Sequence, residues 1–257
     1  MKKFLFALAA AWLFSATAFC QTKVIAHRGY WDTTGSYENT ISSIRNAGNL
    51  GVFGSELDVY ITTDDVLVVH HDATIQGHKI DESSYENDLK DITLPNGEKL
   101  PTLEAYLLEG KKFPNLKVVV ELKHHTRWVD QDRCVLAVVN LVRKLHMQNQ
   151  VDYISFNMNM CKALIRLEPS ADVYYLNGET SPADLKTLGF AGLDYEQGVM
   201  TNHPEWIKEA HDLGLKVNVW TVNDPAKIQS FIDQGVDFIT TNNPVEAKKL
   251  AEEKKPR

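Results

Sequence analysis

The stretch 52-VFGSELDVYITTDDVLVVHHD-72 decides how this chain folds. Residues 52–58 read as a strand, and Glu56 and Asp58, two positions apart, share one of its faces. Residues 66–70 form a second β-rich run, with only residues 62–65 between it and the strand unit that 52–58 opens. Four residues cannot hold the crossover that a parallel neighbour requires. Residues 66–70 are therefore expected to fold back as a hairpin arm above the strand.

Outward from this stretch, short apolar or β-branched runs recur at residues 24–26, 117–121, 152–155, 172–176, 191–194, 216–220 and 236–240. Helical periodicity follows most of them, most clearly at 129–145, 204–213 and 225–234. Strand–helix alternation argues for a parallel sheet, and eight such units argue for closure. The expected fold class is α/β, a TIM (β/α)8 barrel with a hairpin-containing excursion after strand 2. The excursion spans the polar residues 72–101, with a turn at Asn96-Gly97, and the second barrel helix follows at 102–110.

The chain has 257 residues, a length that suits a single barrel domain. Residues 1–20 read as a signal peptide: Lys2 and Lys3, an apolar run at 4–14 too short to span a bilayer, and the small residues Ala16-Thr17-Ala18. Residues 21–257 are then one exported domain, periplasmic or secreted. Anchoring through Cys20 is the less favoured reading, because Phe19 suits lipidation poorly. No later stretch suits stable membrane insertion. A net charge of −7 without a basic stripe argues against nucleic acid as a partner. Cys134 and Cys161 are either a pair or two buried thiols, and no zinc spacing is present. Oligomeric state is left open.

In a TIM barrel the chemistry sits where the strands end. Those ends carry His27-Arg28-Gly29, Glu56 and Asp58, His70-His71-Asp72, Glu121 and Lys123, and Trp220. Glu56, Asp58 and Glu121 would repel one another if they converged alone. One divalent cation, Mg²⁺ or Ca²⁺, resolves that, since both favour oxygen ligands. His27 and His71 are the candidate proton-transfer groups, imidazole being able to give or take a proton near neutral pH. Arg28 and Lys123 supply positive charge to phosphate oxygens. Trp220 either covers the apolar face of a small substrate or packs within the barrel. His70 should point away if His71 points in. His124 and His125 follow Lys123 on a loop and are expected to be solvated.

The ordered series His27-Arg28-Gly29, Glu38-Asn39-Thr40, Glu56-x-Asp58, His71-Asp72, Glu121-x-Lys123 and Trp220-Thr221-Val222-Asn223 resembles the glycerophosphodiester phosphodiesterase family. The likeness runs to Thr240-Thr241-Asn242-Asn243-Pro244, over nearly the whole chain after residue 20. It implies a TIM barrel that hydrolyses a small-molecule glycerophosphodiester to glycerol 3-phosphate and an alcohol. It also implies His27 and His71 as acid/base pair, Glu56, Asp58 and Glu121 as metal ligands, and Arg28 and Lys123 as phosphate ligands. Tyr37, Asp65, Gln76 and Asn242 depart from the pattern without removing a proposed catalytic group; they bear on substrate identity. Two alternatives remain at this stage. One is a phospholipase D-like or lyase activity on lipid headgroups, which the polar excursion disfavours. The other is a non-catalytic phosphodiester-binding protein, which has no need of two proton shuttles.

Overall fold

The computed structural model describes residues 21–253; the expected signal peptide and Cys20 lie outside the described residues. Eight parallel strands close on themselves: β1 (Lys23–Ala26), β2 (Gly54–Ile61), β6 (Lys117–Leu122), β7 (Val151–Ser155), β8 (Val173–Tyr175), β9 (Gly192–Glu196), β10 (Lys216–Trp220) and β11 (Phe238–Thr241). β1 pairs in parallel with both β11 and β2, which completes the TIM barrel. Helices α1 (Ile41–Leu50), α2 (Leu103–Gly110), α3 (Trp128–Lys144), α4 (Met158–Leu167), α5 (Pro182–Leu188), α6 (Gln197–Asn202), α7 (Glu205–Asp212), α8 (Pro225–Gln234) and α9 (Pro244–Glu253) fill the crossovers and the end of the chain.

Strand alternation divides the apolar residues between two layers. Leu57, Val59, Val118, Val120 and Leu122 face the helices and join the large outer core. Ile25, Val119, Ile154, Tyr174 and Phe238 turn inward and pack as a small core of their own. Cys134 and Cys161 are both buried free thiols.

The expected hairpin arm is present. β3 (Leu67–Val69) runs antiparallel to β2, with Val59 opposite Val69 and Ile61 opposite Leu67. This pairing carries β2 past its expected end at Asp58 to Ile61. The excursion then forms the small ribbon β4 (Thr74–Ile75) with β5 (His78–Lys79), a 3-10 turn at Ile80–Glu82 and a π-helical turn at Tyr85–Leu89. It carries its own apolar cluster, in which Ile75, Ile80, Leu89 and Leu100 pack on Tyr60 and Val68. The excursion is thus a packed cap on the arm, and it returns to the barrel where Thr102 caps α2.

Gly192 marks how tightly the wall is built. A methyl at its Cα would lie 2.0 Å from the Lys216 carbonyl oxygen of the neighbouring strand. Gly192→Ala is expected to lower unfolding stability by about 1–3 kcal/mol, as overpacking does. A denaturant midpoint equal to the parent's would contradict that.

Candidate active site

The C-terminal ends of β1, β2 and β6 bring the charged groups together. β1 runs into a sharp turn: Arg28 and Gly29 both take positive φ, at 56° and 81°. A methyl on Gly29 would meet Ser43 Oγ at 2.3 Å, so the close approach to α1 requires glycine. The turn aims the Arg28 backbone N–H at Glu56 Oε2, 2.8 Å away. Thr40 caps α1, and just ahead of it Asn39 holds Asp58 at two points. Its amide donates to Asp58 Oδ2 at 2.8 Å and accepts from the Asp58 N–H at 3.2 Å.

Glu56, Asp58 and Glu121 are all buried, with one oxygen from each within 4.8 Å of the others. Lys123 Nζ bridges Asp58 Oδ1 at 3.2 Å and Glu121 Oε1 at 2.8 Å. Arg28 Nε stands 3.8 Å from Asp58 Oδ2, while its Nη1 donates to Glu38 at 2.7 Å. Burial and the two neighbouring acids push Glu56 well above the usual carboxyl range. Burial and Asp58 push Glu121 up to about 7, against the pull of Lys123. Burial would raise Asp58 too, but Lys123, His71, Asn39 and Arg28 outweigh it and hold it low.

Glu56 Oε1 is buried without a hydrogen-bond partner. Three hard oxygen donors, one of them unsatisfied, fit a divalent cation better than they fit an ion-pair network, in which every oxygen would be partnered.

His27 closes one side of the cluster. Its Nδ1 faces Asn242 Oδ1 at 2.7 Å, and its Nε2 lies 4.0 Å from Glu56 Oε2. An amide oxygen can only accept, so Nδ1 carries the proton and Nε2 is free to receive one. Burial, then Arg28, lowers the His27 pKa to about 4, so the ring is neutral at pH 7. His71 stands at the end of the arm, paired with Asp72 at 2.7 Å and close enough to act on the charges of Asp58 and His27. His70 is half-buried and feels Asp58 and Glu38, while its backbone N–H bonds the Asp58 carbonyl at 3.1 Å.

Trp220 ends β10 on the same rim. Its ring meets Phe156 edge-on at 5.6 Å, its Nε1 donates to the Asp194 carbonyl, and it packs on the inner core. Packing within the barrel is therefore part of its role. Phe156, at the end of β7 and 41% exposed, was not singled out in the sequence; nothing but its place after a strand marks it. The expectation for His125 fails: the ring is buried, because its Nε2 accepts the Ile61 N–H at 3.0 Å.

The sequence pattern of the glycerophosphoryl diester phosphodiesterase family matches residues 27–246. The chain belongs to that family. A glycerophosphodiester phosphodiesterase from Parabacteroides distasonis, known from a crystal structure, is 50% identical, with a TM-score of 0.89 over 91% of this chain and 98% of that one. A glycerophosphodiester phosphodiesterase of Caldanaerobacter subterraneus is 28% identical over 87% of this chain and 95% of its own length. An Oleispira antarctica phosphodiesterase, solved with the product sn-glycerol-3-phosphate, is 22% identical and shares the fold at a TM-score of 0.79, over 90% of this chain and 97% of that one.

In this family member an amide, not a carboxylate, orients His27. Asn242→Asp puts a negative charge against Nδ1–H, which favours the imidazolium. An NMR titration should find His27 neutral down to about pH 4 in the parent and protonated at higher pH in the variant. An unmoved midpoint would show that residue 242 does not hold the ring.

Proposed function

We propose that this phosphodiesterase hydrolyses soluble glycerophosphodiesters to glycerol 3-phosphate and an alcohol, with His27 and His71 as the proton-transfer pair. The observation that carries this reading is the neutral His27, whose free Nε2 stands beside the buried acid cluster. Membership of a family of phosphodiesterases supports the reaction class.

Glu56, Asp58 and Glu121 would hold one Mg²⁺ or Ca²⁺, which supplies Lewis-acid polarisation of the phosphoryl group when bound. The chain's own residues do the rest. Arg28 and Lys123 take the non-bridging phosphate oxygens and stabilise the charge that grows on them. Arg28 is preset for this, since Glu38 fixes the guanidinium from one side. His27 Nε2 accepts the proton of the attacking hydroxyl, and Asn242 keeps the proton already on the ring at Nδ1. Family resemblance suggests the glycerol 2-hydroxyl as first nucleophile, with water opening a cyclic phosphate afterwards. His71, more exposed and paired with Asp72, donates its proton to the departing alcohol and takes one from the water of the second step, when His27 gives its proton back to the 2-oxygen. Trp220 and Phe156 offer an aromatic wall to the carbon skeleton.

The rival reading, cleavage of intact lipid headgroups, gains one observation. Trp128, 75% exposed, stands with Val129 and Phe156 on the rim where strands end and helices begin. The polar excursion beside them weighs against docking on anionic lipid. Among the described residues no helix is long and apolar enough to cross a membrane. Export is inferred from the pattern of residues 1–20 alone.

Glycerol 3-phosphate should appear when the protein, freed of residues 1–20, meets glycerophosphocholine. It should stop with EDTA and return with Mg²⁺ or Ca²⁺. His27→Ala and His71→Ala should each lower turnover on the order of 10²-fold. Release from liposomal lipid but not from the soluble diester would overturn the substrate class, and normal turnover in both variants would remove the histidines.

A further inference from the structure

The parallel ladder between β2 and β6 breaks at an informative place. Asp58 pairs with Glu121 and Val59 with Leu122, and the Lys123 N–H reaches the Val59 carbonyl at 3.1 Å. In an evenly spaced parallel ladder the next bond runs from the Ile61 N–H to the Lys123 carbonyl. That bond is absent, because β6 ends at Leu122 and the chain turns away. The Ile61 N–H is instead taken by His125 Nε2 at 3.0 Å. Nδ1 of the same ring is buried without a hydrogen-bond partner, and the Lys123 backbone beside the ring favours its protonation. The imidazole thus takes the donor end of the missing rung and lies beside the backbone that would have accepted it.

The ring is also locked in place. It is buried, and it meets the Tyr60 ring edge-on at 5.3 Å. Its backbone carbonyl accepts from Gln131 at 3.2 Å, and the next N–H, of Thr126, donates to Asp81 at 2.8 Å. The segment leaving β6 is thereby tied to β2, to α3 and to the excursion, with Lys123 as the last residue before it.

We propose that His125 is a positioning residue for Lys123: its neutral imidazole replaces the lost backbone rung and sets where the Lys123 ammonium stands over Asp58 and Glu121. The inference rests on the reading of Lys123 as a phosphate ligand. The ring can do this only with Nε2 bare, because the Ile61 N–H needs an acceptor. Phenylalanine keeps the packing on Tyr60 and leaves that N–H buried and unpaired. Glutamine places an acceptor at similar reach.

The test compares KM and kcat for glycerophosphocholine, with melting temperature, in the parent, Lys123→Ala, His125→Phe and His125→Gln. Lys123→Ala should raise KM, and His125→Phe should follow it, with kcat/KM down on the order of 10-fold or more as the ammonium is displaced. His125→Gln should recover most of the loss. A ring serving stability alone would lower the melting temperature in His125→Phe and leave KM unmoved, which would overturn the proposal. An unmoved KM in Lys123→Ala would instead overturn the phosphate reading beneath it. Ring nitrogen NMR on the parent is independent of any variant: Nδ1–H with bare Nε2 supports the inserted rung, and the opposite tautomer overturns it.

Discussion

Three buried carboxylates lie within 4.8 Å of one another, and much of the rim is arranged around their repulsion. Each like-charged pair at such a distance costs on the order of 3 kcal/mol at the effective dielectric of a protein interior. Lys123 bridges two of the three, Arg28 offers its backbone N–H to Glu56 and its side chain to Asp58, and Asn39 clasps Asp58. Two cationic side chains against three acids leave a deficit. Burial first, and this deficit after it, raise the pKa values of Glu56 and Glu121 and favour protons on them. A divalent cation would remove the deficit by replacing the protons.

The barrel makes this concentration possible. Alternation along β2 and β6 sends apolar side chains to the helices and leaves Glu56, Asp58, Glu121 and Lys123 facing inward at the strand ends. Ile25, Val119, Ile154, Tyr174 and Phe238 fill the interior as a buried apolar cluster. The hairpin arm brings a second histidine over the same rim from a direction no barrel strand supplies. Its pairing with β2 also fixes Asp58 from above, through the His70 N–H.

Much of this was legible in the sequence because its causes are local. The buried strands need β-branched runs, the four-residue gap at 62–65 forbids a crossover, and alternation alone puts Glu56 beside Asp58. Contacts between distant segments were not legible. Asn242 is visible as a departure from the family pattern, but its partner His27 lies 215 residues away. The two-point clasp of Asn39 on Asp58 likewise depends on the turn that brings α1 against β2. His125 misled for a specific reason: a histidine on a loop is ordinarily solvated, and only the broken ladder rung beside it draws the ring inside. Phe156 carried no signal beyond its place after a strand.

Calorimetric titration of Mg²⁺ and of Ca²⁺ into metal-stripped protein near pH 6, in two buffers of different ionisation enthalpy, tests the carboxylate seat directly. Glu121, pushed up to about 7, is largely protonated there, and Glu56 is raised as well, so one cation should bind with release of protons to the buffer. Affinity should weaken as the pH falls further, because more protons must be displaced. No binding, or binding equally strong and free of proton release across this range, would contradict the assignment of Glu56, Asp58 and Glu121 as the cation's ligands.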